Sequence, residues 1–166
     1  MFTRAFFTTL MVGFLAVGCA SKKPKNAQDD AAMNGDGSNS GLTLELNGSS
    51  DSGTAGGLKT VYFAYDSASF DSETRSVLQN NADFLKSNDN VDVQIEGHAD
   101  ERGSKQYNLA LGERRAKAVK EQLVVLGVPA KRITTISYGS EQPAQEGSSE
   151  SSWSKNRRAN FVITAK

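Results

Sequence analysis

Residues 96–115 concentrate the reactive side chains of this chain, reading Glu-Gly-His-Ala-Asp-Glu-Arg-Gly-Ser-Lys-Gln-Tyr-Asn-Leu-Ala-Leu-Gly-Glu-Arg-Arg. His98, Asp100 and Glu101 are acid–base types, and a hydrolase could use them as proton donor and acceptor. Such a reaction also needs a nucleophile or a metal, and no constellation in the chain supplies either. The single histidine and single cysteine exclude a multi-histidine or cysteine-built metal centre. His98 is read as a structural residue at a strand end. The remaining use of the stretch is to hold a charged ligand. Taken residue by residue there is also a plainer reading, in which Asp100 complements a helix dipole and Arg115 makes a surface ion pair worth about 0–1 kcal/mol.

The surrounding pattern places this stretch where a strand hands over to a helix, a junction whose unpaired backbone groups face outward. Val91, Val93 and Ile95 alternate into it, predicting a strand over 91–98. Leu109, Ala116, Val119, Leu123 and Leu126 form an apolar stripe out of it, predicting a helix over about 105–126, stopped by Gly127 and Pro129. On that helix Asn108, Leu111 and Arg115 share a face distinct from the stripe, while Arg114 is rotated by roughly 100° towards solvent.

Upstream, residues 59–65 read as a strand, 66–69 as a turn, and a helix capped by Asp71 or Ser72 carries Val77, Leu78, Ala82 and Leu85 to the segment 88–90. Downstream, 132–138 reads as a strand, 139–154 as a polar loop with Trp153 packed into it, and 158–165 as a strand with Ala159, Phe161 and Ile163 alternating. The expected fold is α+β: a two-layer sandwich with a mixed four-stranded sheet and two main helices on one face. Right-handed crossovers bring the loops after the first two strands together, setting Tyr65 and Asp66 beside the charged stretch.

Lysine plus arginine balance aspartate plus glutamate at 19 each. Bulk attraction to nucleic acid is therefore not expected, and charged recognition must be local. Residues 1–18 combine Arg4 with an uncharged, mostly apolar run, as in a secretory signal. Leu15-Ala16-Val17-Gly18-Cys19 resembles the lipobox of a bacterial lipoprotein, which implies a diacylglycerol thioether on Cys19. Two or three acyl chains, at about 0.8 kcal/mol per buried CH₂, anchor a protein firmly. By the same resemblance Ala20, rather than aspartate, directs sorting to the outer membrane. Residues 19–58, rich in Gly, Ser, Asn and Asp, are read as the lipidated N-terminus and a flexible tether with a coil dimension of roughly 35 Å. The alternating residues 42–46 are included in that linker, and residues 59–166 form the folded domain.

Several ordered motifs in residues 59–166 carry a family resemblance: Val61-Tyr62-Phe63-Ala64-Tyr65-Asp66, Glu96 through Gly103, Tyr107-Asn108-Leu109, Gly112 through Ala116, Ile136-Ser137-Tyr138-Gly139, and Ser154 through Arg158. Together they resemble the OmpA-like peptidoglycan-binding domain. The resemblance implies a non-enzymatic domain without cofactor that holds peptidoglycan through its diaminopimelate residue. It also implies that Asp100 takes the side-chain ammonium of diaminopimelate and Arg115 its carboxylate, a role that suits the planar arginine fork. Tyr65, Asp66, Asn108 and Leu111 are expected to complete the pocket. Asn156, Arg157 and Arg158 either reach the peptide's carboxylates or rim the sheet, with Arg158 carried as a ligand contact. The implied partners are peptidoglycan, the outer membrane through Cys19, and the periplasmic Tol β-propeller protein; a module that mainly docks envelope proteins is the alternative.

Overall fold

The computed structural model describes residues 44–166. The expected signal segment, Cys19 and most of the expected tether lie outside the described residues. The elements run β1 (Val61–Tyr62), α1 (Ser72–Ser87), β2 (Asp92–His98), α2 (Lys105–Val125), a 3-10 turn at Ala130–Arg132, β3 (Ile133–Gly139), α3 (Glu150–Asn156) and β4 (Arg158–Ala165). The sheet order is β1-β4-β2-β3. β2 and β3 run parallel, and β4 lies antiparallel to both β1 and β2, so the sheet is mixed as expected.

The two long helices begin where their capping chemistry dictates. The Asp71 side chain accepts from the Thr74 amide at 2.7 Å, and the Ser104 hydroxyl accepts from the Tyr107 amide at 3.2 Å. Leu78, Ala82 and Leu85 of α1 and Ala116, Val119 and Leu123 of α2 are fully buried against Val93, Ile95, Ile133, Phe161 and Ile163 of the sheet. Each large side chain so buried contributes about 1.5–3 kcal/mol. Leu109, expected in the buried stripe, is 48% exposed. It sits in the second turn of α2, bordering an open groove with Ile136 along the β3 edge. Among the described residues no helix is long and apolar enough to cross a membrane.

Three expectations need correction. The first strand is two residues long rather than seven, because helix α1 takes over its start: Asn81 Oδ1 accepts from the Lys59 N–H at 2.9 Å and Asn81 Nδ2 donates to the Lys59 carbonyl at 2.8 Å. Those groups cannot also serve a ladder. The expected loop 139–154 contains the start of α3, a helix with almost no apolar periodicity. Its buried contacts are polar, with Ser152 Oγ donating to the Glu146 carbonyl at 3.0 Å and Asn156 Oδ1 accepting from the Ala144 and Gln145 amides at 2.8 and 3.0 Å.

The third correction concerns the tether. Residues 44–58 belong to the folded unit: Ser49 bridges to Val162 and Leu44 to Ala55. The Asn47 and Ser50 amides donate to the carbonyls of Ile163 and Phe161 at 2.9 and 2.8 Å. Asn160 Oδ1 accepts from the hydroxyls of Ser49 and Ser50, both at 2.8 Å, and from the Asp51 amide at 3.0 Å. Ala55 and Leu58 are buried in the core. This segment covers the part of the β4 edge that the two-residue β1 leaves bare, and so removes an exposed edge.

Candidate ligand-binding site

The loops following β1 and β2 meet over the start of α2 and enclose a pocket of about 180 Å³. That is below the roughly 300–1,000 Å³ of pockets that enclose drug-sized ligands, and suits a small charged end group. Six of the seven expected residues line it: Tyr65, Asp66, Asp100, Asn108, Leu111 and Arg115. Asp66 turns the first loop into the site from a left-handed backbone, φ 52°, which aspartate tolerates better than most residues. Its carboxylate accepts from the Tyr107 hydroxyl. Asn108, buried on the first turns of α2, donates from Nδ2 to the Asp100 carbonyl at 3.0 Å and fixes the second loop.

Asp100 is only 4% exposed. Its Oδ1 accepts from the Arg102 amide and from Arg102 Nε, both at 3.1 Å. Its Oδ2 accepts from Arg102 Nη2 at 2.6 Å and Arg157 Nη1 at 3.4 Å. Burial pushes the carboxyl's pKa up, but the hydrogen bonds from the Arg102 side chain and amide, with its charge, outweigh burial and hold it below the usual carboxylate value. Asp100 is therefore an anion at neutral pH.

Arg115 is fully buried. Its Nε donates to the Ser67 carbonyl at 2.8 Å, Nη1 to His98 at 2.8 Å and Nη2 to Ala64 at 3.1 Å. It ties the β1 loop to the end of β2. Burial pulls its pKa down to about 10, with the charges of Asp100 and Asp66 pushing back, so the guanidinium stays charged at pH 7. A guanidinium carries five N–H donors, so two remain beyond the three carbonyl bonds, and the residue lines the pocket.

The sequence model of the OmpA family matches residues 62–157. The chain belongs to the OmpA family. It is 44% identical over 145 residues to the peptidoglycan-associated lipoprotein of Pseudomonas putida, covering 87% of each chain. It is 42% identical over 154 residues to that of Rhizobium meliloti, covering 93% of this chain and 84% of the relative. The crystal structure of the peptidoglycan-associated lipoprotein from Burkholderia pseudomallei superposes with a TM-score of 0.61 at 43% identity, covering 63% of this chain and 88% of that one.

In this OmpA-family domain the seventh expected residue, Arg158, stands apart from the pocket. Its Nε pairs with Asp51 Oδ2 at 2.6 Å. Neighbours on a strand point to opposite faces, so with Ala159 turned into the core Arg158 faces away from the helices, towards the segment around Asp51. The basic residue that reaches the site is Arg157, which touches Asp100 and also donates from Nη2 to Glu150 Oε1 at 2.6 Å.

Sequence reasoning missed Arg102 and Tyr107 as pocket residues, although both lie inside the motifs that carry the resemblance. The Arg102 guanidinium is stacked between the rings of Tyr65 and Trp153, at 4.0 and 3.9 Å. Trp153, expected only to pack a loop, stands on α3 and donates from Nε1 to Glu101 Oε1 at 3.0 Å. His98 is structural, but through its carbonyl rather than its ring. The imidazole is buried 3.9 Å from Glu96 Oε2 and has no hydrogen-bond partner among the described residues. Among the described residues no three His, Cys, Asp or Glu side chains cluster as a metal site would require.

Proposed function

We propose that this chain is a lipid-anchored outer-membrane protein on the periplasmic side that binds peptidoglycan non-covalently through diaminopimelate and so ties the outer membrane to the cell wall. The observation that carries the reading is the convergence of a buried anion, Asp100, and a buried cation, Arg115, on a single small pocket. The free end of a diaminopimelate side chain presents an ammonium and a carboxylate a fixed distance apart. Asp100 takes the ammonium, and the two spare N–H groups of Arg115 take the carboxylate. The peptidoglycan-associated lipoproteins among its relatives support the same reading by name. The anchor on Cys19 and the tether before residue 44 place the domain where the wall can be reached. Membership of the Tol system, with the periplasmic β-propeller protein as partner in envelope integrity and division, completes the proposal.

A binder is favoured over a hydrolase by the state of the acid–base candidates. A general acid must give up a proton near neutral pH, whereas Asp100 is held ionised by Arg102. Glu101 is committed to Trp153, and the His98 ring is buried and lines no part of the pocket. The test is cosedimentation of the full-length protein with purified wall sacculi. The native protein pellets with them and Asp100→Ala stays in solution; equal pelleting of the two sinks the site assignment.

A further inference from the structure

Asp100 has no spare acceptor. Its two oxygens offer about four lone-pair positions, and four donors fill them: the Arg102 amide, Nε and Nη2, and Arg157 Nη1. A ligand ammonium can bind there only if a donor leaves. The amide is fixed by the loop. Arg157 is buried, and its other donors hold the Phe63 carbonyl at 3.1 Å and Glu150. The Arg102 side chain is different: it is 29% exposed, at the mouth of the pocket, and among the described residues its hydrogen bonds are the two to Asp100 alone, with the exposed Glu150 carboxylate 3.9 Å away.

We propose that the Arg102 guanidinium is the resting occupant of Asp100, an internal stand-in for the ammonium of the ligand, and that a wall peptide binds by displacing it from between Tyr65 and Trp153. The inference rests on the peptidoglycan reading and adds a gate to it. Arg102 matches the ligand's ammonium in charge and in donor placement, and the two flat rings hold it over the site by cation–π contact. Its displacement lowers the apparent affinity by the fraction of sites that stand open. In exchange the closed pocket rejects weak cations. A lone ammonium such as that of a lysine side chain gains only what Arg102 gives up, whereas diaminopimelate gains the Arg115 contact as well.

Trp153 is the only tryptophan of the chain, so its fluorescence reports on the cation stacked against it. The experiment is a titration of the full-length protein with a soluble wall peptide ending in diaminopimelate, followed by fluorescence and calorimetry. For the native protein, binding changes the Trp153 emission as Arg102 departs. Arg102→Ala binds about tenfold more tightly, the gain expected when roughly one site in ten is open at rest. Arg102→Lys, which keeps the charge but loses the fork, gains less. Trp153→Ala alters no charge and also tightens binding by loosening the stack, which separates gating from a simple change in local potential. Equal or weaker binding by Arg102→Ala overturns the gate, since a weaker complex makes Arg102 a direct ligand contact. If neither the native protein nor Arg102→Ala binds the peptide, the wall-peptide reading itself fails and the gate falls with it.

Discussion

Gly97 of β2 and Gly112 of α2 meet backbone to backbone: a Cβ placed on Gly97 would stand 1.9 Å from the Gly112 carbonyl oxygen. This contact lets the helix lie on the strand closely enough for Arg115, three residues further along α2, to reach the His98 carbonyl at the end of β2. Gly97→Ala is expected to push α2 away from the sheet and cost about 1–3 kcal/mol, the range for overpacking a filled core. Urea denaturation reads the loss, and an unchanged midpoint contradicts the contact's role.

Arg115 carries a structural load besides its place in the pocket. Arg115→Ala removes the donor that the carbonyls of Ser67, His98 and Ala64 share. Destabilisation of about 1–3 kcal/mol is expected, chiefly from the buried His98 carbonyl left unpaired, since the Ala64 carbonyl keeps the Ser67 amide at 3.3 Å. Arg115→Lys recovers part of this, because an ammonium cannot reach three divergent acceptors with the geometry of a fork. Thermal unfolding of both variants checks the order. Lost wall binding in Arg115→Ala therefore does not by itself identify a ligand contact, and Asp100 variants are the cleaner probe.

The ion pairing at Asp100 fixes the sign of a pH effect. The folded-state pKa is depressed, so the stabilisation from ionised Asp100 is fully present above the ordinary carboxylate value near 3.9 and is lost as pH falls through the lower folded value. Asp100→Asn is expected to be less stable than the native protein at neutral pH and to converge with it in acid. Denaturation curves across the acid range decide this, and a difference that grows on acidification contradicts it.

Much of this organisation was legible in the sequence, and the exceptions share a cause. Helices α1 and α2 and strands β2 and β4 bury apolar side chains at periods of 3.6 and 2, so composition and spacing reveal them. Helix α3 is held by Ser and Asn side chains bonded to backbone, and residues 44–58 by backbone bonds to β4 and polar contacts to Asn160 and Arg158, with Ala55 and Leu58 the buried apolar side chains, which leaves no periodic signal in a Gly- and Ser-rich sequence. The Asp100 and Arg115 positions followed from their motifs. Their engagement did not, because neither the Arg102 pairing nor the three carbonyls on Arg115 can be read from spacing. The choice of Arg157 over Arg158 depended on where β4 begins, and a shift of one residue reverses the face.

The segment 44–58 yields its own test. Asn160→Ala removes an acceptor shared by Ser49, Ser50 and the Asp51 amide and is expected to cost about 1–3 kcal/mol. Amide exchange at Asn47 and Ser50 should quicken well before the core exchanges, since their bonds to Ile163 and Phe161 depend on that anchor. Unaltered protection of both amides in the variant contradicts this account.

The central claim is recognition of the diaminopimelate end group, and walls of two chemistries test it most directly. Full-length protein is mixed with sacculi whose peptides carry diaminopimelate and with sacculi in which lysine, lacking the side-chain carboxylate, takes that place. The account predicts cosedimentation with the first and at least tenfold less with the second, the scale of losing a charge-assisted contact of about 1.4 kcal/mol or more. Equal binding to the two walls would contradict it.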